Sequence, residues 1–223
     1  MPHESSPRTS ASGLGLTLAG LVVACAIGLF VALRAAYVRA GGIAPMDRAA
    51  MDVARSVASD ALTPWVILLT DSGSTVAFVI LVTLVALVLL RSRRRWEAVQ
   101  LIAASGLGGL VVRSLKEVFG RPRPAEMLIE AGGLSFPSGH AFAATVFYGT
   151  LLSVVWQVTG RTVWRLLAAV LCPVMFVAIG LSRVYLSVHY LTDVLAGFAA
   201  GLAWVVIVYV VVSGVEHRWD RRT

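Results

Sequence analysis

Six apolar stretches, each near the length a helix needs to cross a bilayer, constrain this chain more than any other feature. They run from about Leu14 to Leu33, through a second span ending near Leu90, and over Trp96–Leu115, Ala141–Val158, Trp164–Leu181 and Leu191–Val212. The second is preceded by an apolar run, Pro64 to Leu69, that leads into Asp71-Ser72-Gly73-Ser74. With 58% apolar residues and a mean hydropathy of +0.83, the expected fold is all-α. It is a polytopic membrane helical bundle with six transmembrane helices. The first run continues well past Cys25 and is preceded only by Arg8 among basic residues, so it is expected to stay as a span rather than be cleaved as a leader. Between the first two spans, Met46, Ala50, Val53, Ala54 and Val57 fall at helical spacing. That predicts an interfacial helix, with a solvated loop helix as the alternative. Ala103, Ala104, Gly106 and Gly109 in the third span permit close helix contact.

A formal charge of +7 would fit a nucleic-acid partner, but most arginines flank the apolar runs, where they orient spans, and no such partner is expected. Arg91, Arg93, Arg94 and Arg95 set the loop between the second and third spans in the cytoplasm. Six spans then put both termini inside, together with Arg161, Arg165, Arg218, Arg221 and Arg222. The same count sends the Lys116–Pro137 loop and the Ser182–His189 turn to the extracytoplasmic face of the cell membrane. Cys25 and Cys172 fall within spans and are expected as free thiols. No metal or other cofactor is expected, since no spaced thiol–imidazole ligands are present.

Three polar clusters share that outer face. The last is Ser182 to Asp193, between two apolar runs, where ionisable groups are costly and need a reason. His189 and Asp193 are four apart and on a helix would share a face, letting the carboxylate hold one ring nitrogen while the other stays free. Such a histidine is an oriented nucleophile or base, and Arg183 could hold an anion before it. The first cluster pairs Lys116, the only lysine among 19 basic residues, with Arg123 in a segment stiffened by Pro122 and Pro124. In the second, Pro137-Ser138-Gly139-His140 opens a span. There helix-start N–H groups form an anion site, Ser138 adds a hydroxyl, Gly139 allows close approach and His140 can deliver a proton.

Lys116 with Arg123-Pro124, then Pro137-Ser138-Gly139-His140, then Ser182-Arg183 with His189 and Asp193, resembles the three-part signature of the type 2 phosphatidic acid phosphatase family. Soluble vanadium haloperoxidases and acid phosphatases share that signature. The apolar spans align this chain with the membrane lipid phosphatase branch. The resemblance implies that His189 attacks phosphorus to form a phosphohistidine, with Asp193 fixing its tautomer. It implies that Lys116, Arg123, Arg183, Ser138 and Gly139 bind the phosphoryl oxygens, and that His140 protonates the leaving oxygen and then activates water. Arg121 is the candidate for an additional headgroup contact.

The expected organisation is a disordered cytoplasmic tail over residues 1–13, a six-span phosphatase domain over 14–213 and a basic cytoplasmic tail over 214–223. The expected partners are membrane lipids and a lipid phosphate or diphosphate, with undecaprenyl diphosphate as the leading substrate by family analogy. Phosphatidylglycerophosphate or phosphatidic acid is the alternative, as is phosphate transfer between lipids. An anion transporter is the rival from another class; it would not need the paired histidines. Oligomeric state has no signature in the sequence.

Overall fold

The computed structural model describes residues 13–222. The expected N-terminal tail lies, but for Gly13, outside the described residues. Eight helices make up the described part: α1 Gly13–Arg39, α2 Pro45–Val57, α3 Thr63–Asp71, α4 Thr75–Arg91, α5 Arg95–Phe119, α6 Gly139–Val158, α7 Thr162–Tyr185 and α8 Leu191–Asp220. Five of them (α1, α5, α6, α7 and α8) are individually long and apolar enough to span a membrane. The remaining span is broken. α3 and α4 meet at a 49° bend across Ser72-Gly73-Ser74, where Ser74 caps α4 by accepting from the Ala77 N–H. The apolar run before Asp71 is therefore a separate short helix packed on α7. α8 continues to Asp220, so the last basic residues ride on its end and the turn that follows.

α6 and α8 form the centre. α6 packs on α5, α7 and α8, and α8 packs also on α1 and α5. Without a strong hydrophobic force between helices in lipid, close approach through small residues drives such packing. Gly197 and Gly201 of α8 lie directly against α6; a Cβ on Gly197 would sit 2.7 Å from the Ser138 carbonyl oxygen, and one on Gly201 would sit 2.8 Å from Thr145 Cβ. Gly180 of α7 has the Phe198 ring across it in the same way. Large apolar residues such as Val79, Leu110, Val170 and Val211 face outward, as a lipid-facing surface requires.

α2 is amphipathic, but its buried face differs from the one its apolar spacing predicts. Asp47, Met51 and Ala54 turn inward, whereas Met46, Val53 and Val57 are exposed. The polar residue that packs inward, Asp47, is fully buried. The segment between α5 and α6 is irregular and is pinned by Phe136, whose ring meets Phe30 of α1 and Phe119 of α5 at 5.2 and 5.5 Å between centroids.

Candidate active site

At one end of the bundle the α3–α4 break, the end of α5, the 120–138 segment and the α7–α8 turn converge. Main-chain bonds tie them together: the Ser138 N–H donates to the Asp193 carbonyl at 2.9 Å, Ser135 N–H to Arg121 at 2.7 Å and Leu128 N–H to Leu186 at 3.0 Å. Ser187 turns the chain between α7 and α8 with φ +54°, a left-handed conformation that a non-glycine residue adopts at some cost. That turn drives His189 inward, leaving it 2% exposed.

The expectation that His189 and Asp193 share a helix face is corrected by this turn. His189 lies before α8, whereas Asp193 is in its first turn and caps it, its Oδ2 accepting from the Tyr190 N–H at 2.9 Å. The pair still meets, His189 Nδ1 lying 3.5 Å from Asp193 Oδ2. On the ring's other side, Arg123 Nη1 lies 3.1 Å from His189 Nε2 and also donates to the Val188 carbonyl at 2.7 Å. A guanidinium can only donate, so Nε2 presents its lone pair and the ring proton sits on Nδ1, toward the carboxylate. Burial pulls the imidazole pKa down to about 4, with the Asp193 hydrogen bond and charge pulling the other way, so the ring is neutral near pH 7.

The remaining expected residues gather around this histidine. Lys116, in the last turn of α5, donates to the Leu134 carbonyl, and its Cε lies 3.8 Å from where a Cβ on Gly139 would be. Ser138 is the N-cap of α6 and accepts from the Ala141 N–H at 3.4 Å, which leaves its own O–H free to donate elsewhere. His140 follows in the first turn, within electrostatic reach of Arg183, His189, Arg123 and Lys116. Arg183, 5% exposed, donates through Nη1 to Thr70 at 2.8 Å, while its buried Nε has no hydrogen-bond partner among the described residues. Three cations and a helix N-terminus therefore surround one lone-pair nitrogen, an arrangement suited to an anion with several oxygens.

Arg121 is the correction to the expected set. It is fully buried, pairing with Asp47 and Asp193, and is not a surface headgroup contact. Three contributors went unread in the sequence. Ser135 donates its hydroxyl to Asp193 Oδ2 and lies 3.4 Å from His189 Nδ1, Thr70 holds Arg183, and Asp47 holds Arg121. Each is a common polar residue whose partner is far away in the chain, so no local pattern marks it. Among the described residues no group of three His, Cys, Asp or Glu is arranged to hold a metal ion.

Beside His140 opens a cavity of about 470 Å³ between α4, α5 and α6. Its walls are apolar or small, including Phe78, Val82, Gly109 and Val146, and it reaches Val79 and Ile102 on the outer surface of the bundle. A charged pocket thus adjoins a greasy cleft.

Comparison with known proteins matches residues 97–216 to the PAP2 superfamily model. Phosphatidylglycerophosphatase B of Bacillus subtilis is 27% identical over 195 residues, covering 86% of this chain and 94% of that protein. Decaprenylphosphoryl-5-phosphoribose phosphatase of Mycobacterium tuberculosis is 35% identical over 133 residues, covering 56% of this chain and 66% of that one. Among solved structures, the first transmembrane PAP2 type phosphatidylglycerolphosphate phosphatase from Bacillus subtilis superposes with a TM-score of 0.76 at 26% identity, covering 88% of this chain and 96% of that chain. Aquifex aeolicus LpxE shares the fold, with a TM-score of 0.59 at 24% identity over 71% of this chain and 92% of that one.

Proposed function

The chain belongs to the PAP2 superfamily and is a multi-pass membrane lipid phosphatase, and from that premise we propose how it works and on what. His189 is the nucleophile. Its Nε2 lone pair attacks phosphorus, the bond from phosphorus to the lipid oxygen breaks, and a phosphohistidine forms. His140 gives its proton to the departing oxygen. It then takes one from water, which attacks phosphorus and breaks the P–N bond, releasing orthophosphate. Lys116, Arg123, Arg183, Ser138 and the Gly139 N–H bind the phosphoryl oxygens and take up charge developing on them. Asp193 holds the Nδ1 proton and steadies the positive charge that the ring acquires. The observation that carries this reading is the orientation of His189, with Nδ1 toward Asp193 and Nε2 beside Arg123.

The substrate is a lipid with a terminal phosphate. Its headgroup enters among the cations and its chain lies in the cleft beside His140. Phosphatidylglycerophosphate is the substrate best supported, because the similarity to the Bacillus enzyme runs over 94% of that protein. An isoprenoid carrier phosphate or diphosphate is the second reading, favoured by the polyprenyl-linked substrate named for the mycobacterial relative. The site faces the extracytoplasmic side, because the Arg91–Arg95 cluster lies at the opposite end of α4 and α5.

The deciding experiment ranks kcat/KM of the purified protein on phosphatidylglycerophosphate, phosphatidic acid and undecaprenyl diphosphate, with phosphate release as readout. Phosphatidylglycerophosphate should lead. A lead for undecaprenyl diphosphate would transfer the assignment to the isoprenoid reading. Turnover retained by His189→Ala would remove the nucleophile.

A further inference from the structure

Arg121 is the largest side chain in the fully buried set, and none of the steps above uses it. Its Nη1 donates to Asp193 Oδ1 at 2.6 Å and to Thr192 Oγ1 at 2.7 Å; its Nη2 donates to Asp47 Oδ2 at 2.9 Å and to the Gly42 carbonyl at 3.1 Å. The Tyr37 and Tyr190 rings lie 4.2 and 3.9 Å from its central carbon. Asp47 in turn accepts from the Thr192 N–H at 2.8 Å and the Thr192 hydroxyl at 2.9 Å. One guanidinium thus joins the interfacial helix α2 to the first turn of α8. Buried ion pairs of this kind cost desolvation that their attraction roughly repays, so stability alone is a weak reason for them.

The lever is Asp193. Its Oδ1 faces Arg121, whereas its Oδ2 serves Ser135, the Tyr190 N–H and His189 Nδ1. We propose that Arg121 and Asp47 are positioning residues for the nucleophile: Arg121 grips Asp193 Oδ1 so that Oδ2 is held toward His189, and Asp47 draws off part of the guanidinium charge so that Asp193 keeps enough of its own to support the ring. This rests on His189 being the nucleophile, as proposed above. The other charged or titratable groups around His189 are Arg123 from the loop, Lys116 from α5, His140 from α6 and Arg183 from α7. They are untouched by changes at Asp47 or Arg121, which act on the ring through Asp193.

The test uses kcat, KM and the acid limb of kcat/KM, measured on dioctanoyl phosphatidic acid in dodecyl maltoside micelles with full-length protein that elutes as a single species. Asp47→Asn leaves Arg121 to neutralise Asp193 more fully, which lowers the affinity of His189 for a proton and moves the acid limb down. Arg121→Gln frees the Asp193 charge and moves it up. Each displacement should be about half a pH unit or more. Both variants should lose about tenfold or more in kcat, with KM held within about twofold, because they disturb geometry rather than substrate contact. Arg121→Lys keeps the charge, so its acid limb should stay in place while kcat falls. A purely structural role predicts no opposed displacements. The inference is overturned if kcat is unchanged, if the limbs stay fixed or move together, or if KM alone rises. Should Arg121→Gln fail to elute as folded protein, Asp47→Asn against Arg121→Lys decides: the limb should move down in Asp47→Asn and stay in place in Arg121→Lys with kcat lowered in both, and a limb fixed in Asp47→Asn or an unchanged kcat overturns the inference. His189→Ala is run in parallel. If it retains turnover, the nucleophile reading fails and this inference with it; if it is inactive while Asp47→Asn behaves as wild type, the inference alone fails.

Discussion

Gly197→Ala adds one methyl group at the contact between α6 and α8 and should disable the enzyme without touching a charged residue. The new Cβ would lie 2.7 Å from the Ser138 carbonyl oxygen, 2.9 Å from Ala141 Cβ and 3.2 Å from the Phe142 nitrogen. Ordinary contact begins near 3.4 Å, and the nearest neighbour is main chain that cannot swing aside, so the helices must part by about 0.7 Å. Overpacking of this kind costs about 1–3 kcal/mol. Alanine returns up to about 1 kcal/mol by favouring helix over glycine, leaving a net loss of about 0–2 kcal/mol. The effect on rate should be larger than the effect on folding. α6 carries Ser138, Gly139 and His140 at its start, and α8 carries Asp193 and follows His189, so the separation opens across the bound phosphoryl group. A misplacement of about 1 Å can cost about a hundredfold, and kcat should fall about 10- to 100-fold. The assay is phosphate release in detergent alongside thermal unfolding. Gly28→Ala and Gly214→Ala, which meet no atom within 4 Å, should match wild type in both. If Gly197→Ala keeps its turnover within about twofold of those controls, close packing of α6 on α8 does not set the catalytic geometry.

The acid limb of kcat/KM should lie near pH 4 rather than 6.5, because a buried His189 that resists protonation keeps its lone pair as pH falls until that point; a limb near 6.5 would count against the burial argument. Thr70→Val removes the hydroxyl that accepts from Arg183 and should raise KM about three- to tenfold through a less well-held cation, measured on a soluble short-chain substrate; an unchanged KM would show that Arg183 is held by other contacts. Gly109→Leu fills the cleft without a clash at its own Cβ. It should raise KM for long-chain lipids about tenfold while sparing dioctanoyl substrates, and equal effects on both would detach the cleft from lipid binding.

Much of the framework was readable because lipid imposes it locally. Apolar runs of sufficient length mark α1 and α5 through α8 wherever they occur, and Pro137-Ser138 marks the start of α6 by its own cap chemistry. His140, Arg183 and His189 stood out as ionisable groups at the ends of spans. What escaped depends on long-range pairing. Asp47 sits on a helix with several charged residues and reads as solvated until Thr192, 145 residues later, is brought to it. Arg121 reads as a loop cation because nothing nearby announces two carboxylates, 74 residues before it and 72 after. The break at Ser72-Gly73-Ser74 carried turn residues in plain view, yet the apolar runs on either side gave no measure of the bend.

The cleft between α4, α5 and α6 leads from His140 sideways to residues on the outside of the bundle. A lipid could therefore be processed with its tail still among its neighbours, its phosphate leaving by water and its remainder drifting back sideways. Turnover would then follow the mole fraction of substrate within the leaflet rather than its amount per volume, and diluting the membrane with inert lipid would slow the enzyme as surely as removing substrate.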